Sequence, residues 1–312
     1  MRSILVGTWD SGLFCVTGST VCQEIADQSV LSLVADGDGG VLAIVGGHSL
    51  RRRTSDGEWT EIATSDVDLS CCVPIGGVFF VGTNDARVLR VDPDGTQQFL
   101  TGFDDVAGRD RWYAGSAIVD GKLMGPPLGI RSISATCDGG ALLANVHVGG
   151  IPRSANCGLT WQPTIDIESD VHQVCAHPAQ PEIVIAAAAV GLCISRDAGT
   201  TWTTEQQGLH ANHCSGVAFG RSDIFVSAST DPFAAQGAVY RRPIDGTAPL
   251  QPVGGGLPTW LDGRVDTNCI ATRDAMVAVI DGSGQLYVSP DDGASWSSPC
   301  GGLPFSSGLH IC

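Results

Sequence analysis

The chain has 312 residues, a formal net charge of −16 and a single lysine, Lys122. So acidic a balance excludes nucleic acid and anionic membrane surfaces as partners, because both need a basic footprint. Glycine at 41 residues beside a charged fraction of 16% describes short strands joined by tight turns. The first residues lack the apolar run of a signal peptide, and no later run would span a bilayer, so a cytoplasmic location is expected. In that setting the 12 cysteines read as reduced core residues, with Cys72, Cys137, Cys175, Cys193 and Cys269 in apolar strand-like runs.

Taken in order, apolar patterning predicts three strands at 4–8, 13–17 and 21–25, then repeated sets of four. The sets are 30–34, 41–45, 49–52 and a strand at Trp59; then 69–73, 78–82, 87–91 and 96–100. Next come 132–136, 141–146, 150–154 and 160–165, followed by 171–176, 183–188, 192–195 and 201–204. The last two sets are 215–219, 223–227, 238–241 with a strand near Leu250, and 268–272, 276–280, 285–289 and 295–297. A period of about 40 residues is that of a solenoid or propeller. The incomplete first set gains its innermost strand from 308–312, which closes the ring and hides the sheet edges. The expected fold is all-β, a seven-bladed β-propeller over 1–312. Its one long interruption, residues 101–130, reads as an ordered lid.

Four segments punctuate these sets. SRDAGTTW at 195–202 and SPDDGASW at 289–296 share the pattern S-x-D-x-G-x-[ST]-W. SANCGLTW at 154–161 has Asn156 in place of the aspartate, and TSDGEW at 54–59 is shortened. Such a segment suits a strand-to-strand turn: Asp bonds its own backbone, Gly takes an angle other residues resist, and Trp covers the turn. The segments resemble the Asp-boxes of BNR-repeat β-propellers, a group that includes sialidases, sortilin-type receptors and photosystem II assembly factors. The resemblance implies the fold and leaves function open. Sialidases would add an arginine triad, a Tyr/Glu nucleophile pair and an early Arg-Ile-Pro motif. Here Ile151, Pro152 and Arg153 stand in another order and place, and Tyr113, Tyr240 and Tyr287 have no evident glutamate partner, so sialidase activity is not expected.

Candidate chemistry lies where the last strand of one blade leads into the first strand of the next. His172, His210, His213 and His310 are assigned to these approaches, and His48 and His147 to connections opening on the same face. Innermost strands converge on the propeller axis, so His172, His213, His310 and His147 are the candidate ligands of a transition metal, Cu or Fe before Zn or Mn. Asp170 and Asp266 would orient an imidazole or act as general base, and Arg131 would bind an anionic group of a small substrate. Trp9, Trp112, Tyr113 and Trp260 would wall the site. Cys214, beside His213, reads as a buried, inert thiol. The expectation is a metal-dependent enzyme acting on a small molecule, an oxidoreductase before a hydrolase. The alternative is a non-catalytic propeller that grips a protein or ligand, as the assembly factors imply.

Overall fold

Each set of four strands becomes one antiparallel sheet in the computed structural model, which describes residues 2–115, 117–119, 122–124 and 128–312, without the side chains of 116–127. Seven such sheets form the blades of a propeller. Blade 1 is built from Ile4–Thr8, Gly12–Thr17 and Thr20–Ala26, and the C-terminal strand Ser306–Ile311 pairs with Ile4–Thr8 as its innermost member. The ring therefore closes by joining the two ends of the chain. Blade 6 gains one addition: Leu261–Asp262 pairs with Gln236–Pro243 beside the regular four. Among the described residues, no helix is long and apolar enough to cross a membrane.

The apolar core lies between successive blades. Leu143 and Ile151 of blade 4 share a buried cluster with Val174, Val184 and Ala186 of blade 5. Burying each aliphatic side chain of this size contributes about 1.5–3 kcal/mol, so every blade is stabilised by its neighbours. The patterned turns lock the outer hairpins. Ser195 Oγ donates to Asp197 Oδ1 at 2.8 Å and accepts from Gly199 N at 2.8 Å, while Thr201 N and Oγ1 donate to Asp197 at 2.8 and 2.7 Å. The segment at 289–296 repeats this, with Ser295 N and Oγ on Asp291 at 2.8 and 2.6 Å. Asn156 fills the same role in blade 4: its Oδ1 accepts from Thr160 N at 2.9 Å and its Nδ2 donates to Thr160 Oγ1 at 2.9 Å. Gly199 is required twice over, by φ +80° and because a Cβ there would collide with Leu143 of the preceding blade.

Several innermost strands carry one extra residue near their start. The ladder slips between Leu69 and Cys71, Ile130 and Ser132, Val171 and Gln173, and Cys214 and Val217. A bulged residue loses its ladder partner and its side chain is re-aimed. Ser70, Arg131, His172 and Ser215 stand at these slips, and all four line one cavity around the axis. Ser307 is passed over in the same way in blade 1, and Leu31 of blade 2 and Asn268 before blade 7 complete the ring.

One expectation needs correction here. Cys137 is exposed in a turn rather than buried in a strand, whereas Cys71, Cys72, Cys193, Cys214 and Cys269 are buried. The interruption at 101–130 begins as anchored structure: Phe103 is fully buried, 5.7 Å from Trp112 and 5.0 Å from Trp161 between ring centroids. It continues as a two-stranded hairpin, Ala117–Val119 with Lys122–Met124. Its remaining residues from 116 to 127 lie outside the described set, so the lid reading bears only on the part up to Gly115.

Candidate functional site

The axial cavity has a volume of about 700 Å³ and opens on the face opposite the patterned turns. Blade 5 supplies its centre. The 3-10 turn Ile167–Ser169 ends at Asp170, held at φ +46°, and the next strand presents His172 at its bulge. A left-handed non-glycine residue costs about 1–2 kcal/mol, a strain that fixes where the Asp170 carboxylate points. His147 comes from the connection after Leu142–Val146 of blade 4, where its backbone N–H donates to the Gly129 carbonyl at 3.2 Å. His213 is the first residue of the innermost strand of blade 6.

These four side chains meet. His147 Nε2 is 3.3 Å from Asp170 Oδ1, and His172 Nε2 is 3.7 Å from Asp170 Oδ2. The His172 ring lies 4.6 Å from that of His213 and 5.9 Å from that of His147. His172 Nδ1 contacts the Cys214 carbonyl at 2.6 Å. A carbonyl only accepts, so Nδ1 carries the hydrogen and Nε2 is the atom that faces the carboxylate. His147 Nδ1 and Asp170 Oδ1 are buried with no hydrogen-bond partner among the described residues. One donor atom from each of His147, Asp170 and His172 falls within 4.8 Å of the others.

The surroundings favour the neutral form of His147 and His213. Burial, then the nearby Arg131, pulls His147 down to about 3, and burial, then His172, pulls His213 down to about 4. Burial works against the Asp170 carboxylate, but the hydrogen bond and field of His172 outweigh it and hold the group below its usual range. Two imidazole nitrogens and a carboxylate thus converge in one cluster, each able to serve as a ligand atom. A divalent cation satisfies that arrangement, and the donor set fits a transition metal with open positions.

Beside this cluster lies a charged group. Asp266 Oδ2 accepts from Arg264 at 2.7 Å and Oδ1 from Thr267 N at 2.8 Å, and Arg131 stands 4.0 Å from Oδ1. Burial opposes ionisation of Asp266, yet Arg131 and Arg264 outweigh it and keep the carboxyl below its usual value. An acid so held suits orienting arginines better than accepting a proton.

Other expected residues are placed elsewhere. His310 sits three residues below Ser307 in the innermost strand of blade 1, roughly 10 Å down the channel at strand rise, and does not line the cavity. Its charged neighbours are Arg273, the last residue of the strand Ile270–Arg273, and Asp36, just past the strand Val30–Ala35, both at the far ends of innermost strands. The sequence expectation placed this strand too late and so set His310 at the rim. Trp112 is only 8% exposed and packs on Phe103 and Arg109. Tyr113 reaches Glu168 at 3.4 Å, and Trp260 stands edge-on to His210 at 4.8 Å. None of these three aromatics lines the cavity, so the expected walls are corrected to Trp9, Phe233 and Phe305.

Three contributors escaped the sequence reading. Arg264, Phe233 and Phe305 lie in connections whose geometry no local pattern reveals. Asn145, two residues before His147, does not line the cavity but is fully buried with both amide atoms unpartnered among the described residues. An amide in an otherwise apolar strand (LLANV) was the available signal. Cys214 is as expected: burial pushes its thiol up to about 12, and the residue contributes its carbonyl.

No protein-family profile matches the chain, and no curated protein matches its sequence. Solved structures do resemble it. An ancestral GH74 enzyme superposes with a TM-score of 0.63 at 14% identity over 100% of this chain and 40% of that one. A GH74 enzyme from Niastella koreensis gives 0.61 at 13% identity over 94% of this chain and 46% of that one. Virginiamycin B lyase from Staphylococcus aureus gives 0.60 at 12% identity, covering 88% of this chain and 84% of that one. The chain thus spans less than half the length of the two GH74 enzymes. At these identities the likeness establishes the propeller fold alone.

Proposed function

We propose that this propeller is a metal-dependent enzyme acting on a small molecule in the axial cavity. The observation that carries the reading is the convergence of His147 Nε2, His172 Nε2 and the Asp170 carboxylate within one polar cluster. His147, His172 and Asp170 would hold the ion, and His213, against the His172 ring, would serve as a fourth ligand or as an acid–base group. Two imidazoles and one carboxylate with open positions form the donor set of non-haem Fe(II) sites, which puts redox chemistry ahead of hydrolysis at zinc. The bound ion would supply Lewis acidity or electron transfer. The chain's own part is to fix the His172 tautomer through Cys214, to exclude bulk water, and to place substrate with Arg131.

The patterned turns support assignment to the Asp-box propellers, and 12 unpaired cysteines support a reducing, cytoplasmic setting. A second reading, a propeller that binds without catalysis, is favoured by the exposure of Phe233 (65%) and Phe305 (51%) at the rim, where a partner's apolar group would dock.

Elemental analysis of tag-free protein tests the proposal. Near-stoichiometric Fe, Cu, Mn or Zn is expected in the wild type and in His310→Ala, and its loss in His172→Ala and Asp170→Ala. Metal-free wild type, even after anaerobic reconstitution with each ion, would remove the metalloenzyme reading.

A further inference from the structure

The charge distribution of the cavity says more about its ligand than the metal-binding group does. Seven equivalent positions ring the axis, one per blade: Leu31, Ser70, Arg131, His172, Ser215, Asn268 and Ser307. Five of them are small or uncharged, so the fold does not require a charge at this place. Arg131 is the one arginine of the ring. Its side chain is 18% exposed, yet it makes no hydrogen bond to any described residue. Its nearest acid, Asp266, lies 4.0 Å away and already accepts from Arg264 and Thr267 N. Arg264 is occupied further, by the Pro232 carbonyl at 2.6 Å. A guanidinium this enclosed, with a planar fork of donors uncommitted and opening on a cavity, is the setting for bidentate capture of an anion.

The surroundings restrict which anion. Asp266 is already bonded by Arg264 and Thr267 N, so the Arg131 fork can pair with one anionic group, while a second negative charge would face the carboxylates of Asp170 and Asp266. The walls beyond are apolar or aromatic: Leu31, Ile130, Pro232, Trp9, Phe233 and Phe305. We propose that the substrate is a small monocarboxylate with an apolar body, its carboxylate held by Arg131 beside the His147–Asp170–His172 group and its body against Trp9, Phe233 and Phe305. The inference rests on reading this cavity as the enzyme's site, and it extends that reading to substrate class.

Calorimetric titration of metal-free protein separates the two claims. Phenylacetate, cyclohexanecarboxylate and octanoate are each compared with the corresponding amide and phosphonate. At least one carboxylate should bind tenfold or more tightly than its amide, and more tightly than its phosphonate. Arg131→Gln should abolish that preference while taking up metal as the wild type does, and Arg131→Lys, which keeps the charge but loses the fork, should retain only part of it. No carboxylate binding, equal binding of acid and amide, tighter phosphonate binding, or an unchanged preference in a folded Arg131→Gln protein would each overturn the inference. Absence of metal uptake alongside a clear carboxylate preference would remove the metal reading and leave this one standing.

Discussion

Arg131 and His172 occupy the same bulged position in neighbouring blades, each one residue into its innermost strand. One repeated backbone device therefore delivers a guanidinium and an imidazole to adjacent points of one cavity. The bulge explains why both side chains leave the ladder and meet Asp170 and Asp266, which lie on the connections just before the strands of blades 5 and 7.

The support around His147 can be tested without touching a ligand. Gly115 lies against the imidazole, and a Cβ at that position would collide with His147 Cε1. Gly115→Ala should lower metal affinity by about tenfold, the lower end of what supporting residues contribute, with a smaller effect on thermal stability. Competition with a calibrated chelator measures this. Unchanged affinity would show that the ring is free to shift.

Asn145 tests the cost of a buried amide. Leaving a buried amide unpartnered costs about 1–3 kcal/mol, and an apolar side chain of similar size removes that cost. Asn145→Leu should melt at the wild-type temperature or above. A melting point lowered by several degrees would mean that the amide is well bonded in solution.

Much of the fold was legible in the sequence because two signals repeat. The S-x-D-x-G-x-[ST]-W turns and the strand sets around them give blade count and ring closure, and Asn156 shows that the turn survives an amide for a carboxylate. The site was legible only in part. Asp170, His172, His213 and Asp266 lie where one blade leads into the next, which spacing locates. His310 failed because the start of its strand, hence its height in the channel, depends on pairing with Ile4–Thr8 rather than on local pattern. Trp112 failed because an aromatic on an insertion can wall a cavity or anchor the insertion, and only the Phe103 and Trp161 contacts decide between them. Phe233 and Arg264 come from irregular connections.

The turn logic makes its own prediction. Asn156→Asp should leave stability unchanged, because Thr160 Oγ1 can reverse from acceptor to donor, as Thr201 does toward Asp197. Asn156→Ala loses the bonds to Thr160 and should cost about 1–2 kcal/mol. Urea denaturation of the three proteins tests both statements, and equal midpoints for Asp and Ala would contradict them.

His310 provides a pH dependence independent of the candidate metal site. Burial, then Arg273, pulls its ring down to about 4, so the folded protein keeps it neutral where the unfolded chain, with a pKa near 6.5, takes a proton. The unfolded state binds more protons between these values, and stability therefore falls as pH drops from about 6.5 toward 4. His310→Gln should flatten that part of the melting-temperature profile relative to wild type. An unchanged slope would place the pH sensitivity elsewhere.

The most direct measurement is anomalous scattering from crystals of the reconstituted protein, recorded above and below the edge of the bound metal. A single strong peak is expected among His147 Nε2, His172 Nε2 and the Asp170 carboxylate, within bonding distance of all three and absent from His172→Ala crystals. No peak there, or a peak at His310 or on the outer surface, would contradict the account.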